Sequence, residues 1–335
     1  MRADAEIRRL ALGCLLPGFG GRRIPGWLAG ALADGLGGVV LFGSNVGPTV
    51  SDVRRLTDQL RTTAGREVVV AIDEEGGDVT RLAPHTPASP GAAALGRLDE
   101  VDTTTAVHAV IGTRLVAAGI TLNLAPVADV NLDPANPVIG VRSFGNDPDL
   151  VARHVDAAVR GLKRAGVAAC AKHFPGHGAT RTDSHHEAAT LGRSRAELDA
   201  AELVPFRAAV AAGAQAVMTA HLIVPALDRD ALATVSAAIT TDLLRRELGF
   251  AGTIVTDALE MAALAGPIGM VEGFVRALVA GADAIETGAL EYPHLIEEIR
   301  AAVLGAVRSG RLDEQRLVDA ARRTAQLGRR PDRPR

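Results

Sequence analysis

The chain is 335 residues long, 47% apolar and 22% charged, with a formal net charge of −3. These are the proportions of a folded globule with material for a large core, and they exclude a low-complexity or disordered chain. With no basic excess to neutralise phosphates, a nucleic-acid partner is not expected.

The N-terminal stretch "IRRLALGCLLPGFGG" has two arginines before an apolar run ending at Cys14. About five apolar residues are too few for a signal-peptide core, which needs roughly 7–15. No run reaches the ~18 uncharged apolar residues of a membrane helix. The segment is therefore expected to be a strand of the fold, and the protein cytoplasmic with no membrane partner. Cys14 and Cys170 sit in separate apolar runs and read as reduced core thiols rather than a disulfide framework.

Eight short apolar runs follow one another: "LALGCLLPG", "GGVVLFGSN", "EVVVAIDEEGG", "ITLNLAPVADV", "VAACAKHFPG", "QAVMTAH", "GTIVTDALEM" and "ADAIETG". Each is continuous rather than alternating, the pattern of strands buried on both faces. Helical patterns lie between them, including "SDVRRLTDQLRTTAG", "TTTAVHAVIGTRLVAAG", "PDLVARHVDAAVRGLKRAG", "SRAELDAAELVPFRAAVAAG", "TTDLLRRELG" and "VEGFVRALVAG". Several open on Ser, Thr or Asp and close on Gly. Eight alternations predict an α/β fold, a single (β/α)8 TIM-like barrel spanning residues 1–328, with 329–335 as a disordered tail. The polar clusters "DEEGGDVTR", "NLAPVADVN", "KHFPGHG", "AH" and "TD" then all fall at the C-terminal ends of strands, the rim where such barrels build active sites.

The densest cluster is "KHFPGHGATRTDSHH", residues 172–186, which holds four of the nine histidines and one of only two lysines. Pro175, Gly176 and Gly178 predict a mobile loop over 174–186. Asp183 and His185 stand two apart, a spacing that lets the carboxylate accept from one ring nitrogen and leaves the other to move a proton. Asp257 ends the strand "TIVTD", placed to act as nucleophile, base or ligand, or to anchor an arginine. Asp73 ends its strand in the same way, while Glu74 and Glu75 beside it are equally compatible with solvent. For Lys172, beside His173, a Schiff-base role, a hydrogen-bonding role and pairing with Asp257 all stay open. Arg81 and Arg142 are not singled out by position among the many arginines.

His173, His177, Asp183, His185 and His186 offer donors for zinc, yet their spacing fits no HExxH helix, so no metal is expected. No GxxxxGK[ST] cradle is present and no cofactor is expected.

Together, "GGVVLFGSN", "AIDEEGG", "NLAPVADVN", "RSFG", "KHFPGHG", "TDSHH", "MTAH" and "ELGFAGTIVTDALEM" resemble glycoside hydrolase family 3, in its single-barrel β-N-acetylhexosaminidase branch, over about residues 10 to 290. The resemblance implies Asp257 as the nucleophile, His185 as general acid/base with Asp183 as its partner, and Asp73, Arg81, Arg142, Lys172 and His173 as sugar binders. It implies a retaining enzyme that removes terminal β-linked N-acetylglucosamine from small glycosides, including muropeptide fragments of cell-wall turnover. A histidine in place of the second carboxyl group would not repel phosphate, so a phosphorylase stays open beside a β-glucosidase. A metal-dependent hydrolase and a non-catalytic sugar-binding barrel are the readings from other classes.

Three departures from the family pattern stand out. Asp78 replaces an arginine, Thr256 and Ala258 flank Asp257 where serine and aspartate are typical, and the proline after "DSH" is missing. None removes a reacting group. The low aromatic content, 3% with one Trp and one Tyr, favours a short pocket over a long polysaccharide cleft. The sequence does not fix the oligomeric state, and a monomer is slightly favoured.

Overall fold

The computed structural model describes residues 2–82, 89–181, 189–289 and 294–329. Eight parallel strands form one sheet: β1 (Leu15–Gly18), β2 (Gly38–Leu41), β3 (Val69–Ile72), β4 (Leu122–Asn123), β5 (Ala168–Phe174), β6 (Ala216–Thr219), β7 (Thr253–Thr256) and β8 (Ile285–Ala289). Their spatial order follows the chain, with β8 returning to pair with β1 at Leu15↔Ile285 and Leu16↔Glu286. The bridge Val255↔Ala284 joins β7 to β8 and closes the ring, giving the expected (β/α)8 barrel.

Side chains alternate across each strand, and the barrel uses both faces. Leu16, Val40, Val69, Ala71, Leu122, Ala168, Cys170, Ala216, Met218, Val255 and Ala284 form one buried cluster inside the ring. Leu15, Val39, Val70, Ile72, Ala169, Val217, Ile254 and Ile285, one residue out of phase, pack outward under the helices. Burying each Leu, Ile or Val contributes roughly 1.5–3 kcal/mol, so continuous apolar runs are what this geometry selects. Cys14 and Cys170 are free and buried.

The last helix, Glu314–Gly328, stops the N-terminal end of the barrel and sends Leu327 into the inner cluster. Beside it Asp283, fully buried, is held by Arg245 at 2.6 Å, Arg316 at 2.5 Å and Arg323 at 3.3 Å. The opposite end stays open for the βα loops.

Local differences from the sequence reading have physical causes. "LALG" does not belong to the first strand. It completes a helix, Asp4–Gly13, whose buried face is Ile7, Ala11 and Leu12 and whose first turn carries Asp4 and Glu6. Only Leu15–Gly18 is strand. The "SRAELDAAELVPFRAAVAAG" pattern breaks into Arg195–Ala200 and Val204–Ala212, with Pro205 in the first turn of the second helix. Residues Ala238–Glu247 wind as a π-helix. Helices at Gly26–Ala33, Ala92–Leu98, His294–Arg308 and Glu314–Gly328 were not flagged by sequence.

Residues 174–181 are not a loose loop either. His177 N–H donates to Asp129 Oδ1 at 2.7 Å, and Asn136 Nδ2 donates to the carbonyls of His177 (2.8 Å) and Thr180 (2.9 Å). Among the described residues no helix is long and apolar enough to cross a membrane. Of the expected tail, only Arg329 is described.

Candidate active site

Strand parity builds the floor of the open end. Val69 and Ala71 face the barrel interior, so Asp73 continues that side. Ala168 and Cys170 lead to Lys172, Val255 leads to Asp257, and Ala284 leads to Glu286. All four line one cavity of about 350 Å³ at the C-terminal rim. Its other described lining includes Glu75, Arg81, Arg142, His173, His177, Met218 and Glu260, with Phe42 as the one phenyl ring.

Lys172 is the electrostatic hub. Its Nζ lies 2.5 Å from Asp73 Oδ1 and 2.8 Å from Glu75 Oε1, with 3% of the side chain exposed. Burial alone would lower its pKa, but Asp73 and Glu75 outweigh that and push it up. The amine is thus held as an ammonium, the wrong state for a Schiff base, and its ion pairs are with these two carboxylates rather than with Asp257.

Glu75, which the sequence left free to face solvent, is buried. Arg142, at the end of the turn Gly140–Arg142, grips it with Nε at 3.0 Å and Nη2 at 2.8 Å. Burial works against the charge, yet Lys172 and Arg142 hold the carboxyl down at about 2. Glu74 is buried too and plays a different part. It accepts from the Thr80 hydroxyl and from the N–H groups of Arg81 (2.7 Å) and Leu82 (2.9 Å), fastening the hairpin Glu74–Gly76/Val79–Thr80. That hairpin delivers Arg81, whose Nη2 stands 4.0 Å from Asp73.

His173 is set by Asp129, a residue the sequence reading passed over. Asp129 Oδ2 accepts from Nδ1 at 2.7 Å, and Nε2 turns toward Arg142 Nη2 at 3.4 Å. Asp129 is fully buried; burial opposes its charge, but His173 and His177 overcome this and lower its pKa.

Asp257 follows β7 directly, its N–H donating to Thr219 O at 3.1 Å. Its Oδ1 accepts from Ala258 N–H at 2.8 Å. Burial pushes its pKa up, and the His173 and His221 imidazoles, that N–H and Lys172 more than reverse the push. It is therefore ionised. His221 in turn braces the same loop, Nε2 donating to Ala258 O at 3.0 Å.

Of the residues expected from sequence, Asp257, Asp73, Arg81, Arg142, Lys172 and His173 converge on this cavity. Asp183 and His185, with His186, lie outside the described residues. Glu75, Asp129, His177 and Glu286 were missed as site residues. Parity in "ADAIETG" was the available signal for Glu286, while Glu75 and Asp129 sit past the regular strands, where parity no longer applies. Among the described residues no group of three or more His, Cys, Asp or Glu has the arrangement of a metal centre.

Residues 29–327 match the glycosyl hydrolase family 3 N-terminal domain. The chain is 37% identical over 277 residues to a beta-hexosaminidase of Neisseria meningitidis serogroup C, covering 80% of this chain and 75% of that one. Among solved structures it is similar to a family 3 beta-N-acetylglucosaminidase from Paenibacillus, with TM-score 0.92 and 40% identity, covering 96% of this chain and 61% of that one. It is also similar to a beta-N-acetylhexosaminidase from Beutenbergia cavernae, with TM-score 0.86 and 32% identity, over 96% of this chain and 98% of that one. The chain thus spans less than two thirds of the Paenibacillus protein and nearly all of the Beutenbergia one.

Proposed function

We propose, from the premise that this chain belongs to glycosyl hydrolase family 3 and is a glycosidase, that it removes terminal β-linked N-acetylglucosamine from small glycosides with retention of configuration. The observation that carries this is Asp257, ionised at a rigid strand end inside a small cavity crowded with hydrogen-bonding charges.

In the first step an Asp257 carboxylate oxygen bonds to the anomeric carbon while the bond to the departing oxygen breaks. His185, partnered by Asp183, gives that oxygen its proton. In the second step His185 takes a proton from water, which attacks the anomeric carbon and frees Asp257. Asp73, Arg81, Arg142, Lys172 and His173 grip the hydroxyls of the sugar. Pairs within the set and with Glu75 and Asp129 hold these side chains before substrate arrives, so little ordering is left to do on binding.

A cavity near the lower end of the roughly 300–1,000 Å³ usual for ligand pockets suits one terminal sugar. Phe42, the one phenyl ring of its described lining, supports the same view, since a long polysaccharide cleft needs more stacking platforms. Muropeptide fragments in the cytoplasm are the proposed setting, with no cofactor required. A panel of nitrophenyl glycosides tests the reading, run with and without phosphate. It predicts turnover of the β-N-acetylglucosaminide well above the β-glucoside, with free sugar as product. Preference for the glucoside, or sugar 1-phosphate formed only with phosphate, would replace the proposed activity.

A further inference from the structure

Glu286 is a carboxyl group that the reaction as described does not use. It stands on β8 with its side chain on the inner face, 4% exposed, and lines the cavity that holds Asp257 and Asp73. Its Oε2 is buried and has no hydrogen-bond partner among the described residues. A buried polar atom left unpaired is costly, and a ligand can relieve that cost by supplying the partner. The neighbouring Asp73, Lys172, Glu75 and Arg142 pair with one another, so the unpaired oxygen stands apart from an otherwise satisfied cluster.

We propose that Glu286 binds the terminal sugar, its carboxyl group, carrying its proton, meeting one neutral hydroxyl of the saccharide at the cavity floor. The inference rests on the glycosidase reading and adds a specificity-determining residue to it. A protonated carboxyl group both donates and accepts, as a sugar hydroxyl does, so the two match in both directions.

The charges around it favour the neutral form. Asp73 after β3, and Asp257 and Glu260 after β7, all repel a carboxylate at this point, while Lys172 on β5 favours one. Arg81 and Arg142, which also line the cavity, are engaged with Asp73 and Glu75. On the β1 side its partner in register is apolar Leu16. Burial and the two aspartates together push the Glu286 pKa well up. An ionised Glu286 would also add a further anion to the cavity in which the Asp257 carboxylate must approach the sugar.

The test uses the full chain with E286Q and E286L, each checked for an unchanged fold by circular dichroism and melting. Substrates are aryl β-N-acetylglucosaminide and its 3-, 4- and 6-deoxy analogues. E286Q, which keeps a donor and an acceptor, should stay within about threefold of wild type in kcat/KM. E286L should lose roughly 10- to 100-fold on the parent, the range expected for one lost buried hydrogen bond. On one deoxy analogue the E286L deficit should vanish. An E286L enzyme as active as wild type, or one equally impaired on every analogue, would overturn the proposal. Wild-type turnover of the parent tests the glycosidase reading separately; if it is absent, the same ratio is read from Kd for free N-acetylglucosamine. Should E286L fail to fold, the alkaline limb decides. With a dinitrophenyl leaving group that needs no proton donor, wild type should lose activity at high pH and E286Q should not, and coincident limbs would overturn the proposal.

Discussion

Asp129 Oδ2 lies 2.7 Å from His173 Nδ1, and the same carboxylate accepts the His177 N–H at 2.7 Å through Oδ1. One buried carboxylate thus orients a cavity-lining imidazole and pins the segment that leads toward residues 182–188. Asp129→Asn keeps the shape and removes the charge. We expect kcat/KM to fall about 10- to 100-fold from misplaced groups, with a lower melting temperature. Unchanged kinetics would show that His173 needs no such anchor.

Glu75 gives stability a sign with pH. Its folded pKa of about 2 lies below the usual ~4.3 of a glutamate, so its contribution is complete above that usual value and is lost as pH falls toward 2. Glu75→Gln should destabilise the protein by a few kcal/mol at neutral pH, because Lys172 and Arg142 lose a buried partner. It should also flatten the fall between pH 4.5 and 2. Urea midpoints measured across that range check both, and parallel curves for wild type and variant would contradict the assignment.

Gly178 packs so closely that a Cβ there would sit 1.8 Å from Val130 O. Backbone cannot yield as a side-chain tip does, so Gly178→Ala must displace the segment leading toward His185. Activity should fall at least tenfold while most of the melting temperature survives. A fully active Gly178→Ala would mean that this segment's position does not matter to the reaction.

His185→Ala separates proton donation from everything else. Substrates with poor leaving groups should lose roughly 10²- to 10⁴-fold, the usual worth of general acid catalysis, while dinitrophenyl glycosides lose far less. Equal losses on both would count against an acid role.

The barrel was legible because strands buried on both faces leave continuous apolar runs, and every run but the first yielded its strand with only its ends adjusted. The first run misled because "LALG" carries helical spacing, with Ile7, Ala11 and Leu12 on one face. Asp73, Lys172 and Asp257 were legible as strand-end residues. Glu286 was equally legible by parity from Ala284, but it sat inside the run rather than at its end. Asp129 was hidden because β4 is only Leu122–Asn123, and no alternation carries past Pro126. Glu75 was hidden by the hairpin that leaves β3, which resets the phase at Glu74–Gly76. Arg142 had no local signal of its own; its bidentate grip on Glu75 is a contact between residues 67 apart in the chain.

The most direct test of the account is to trap the sugar on the enzyme. A 5-fluoro N-acetylglucosaminyl fluoride should react once, and mass spectrometry of the digested protein should find one added sugar on the peptide bearing Asp257, absent in Asp257→Ala, whose turnover falls at least roughly 10³-fold. A sugar attached to Asp73 or Glu286, or turnover with inverted configuration and no adduct, would contradict it.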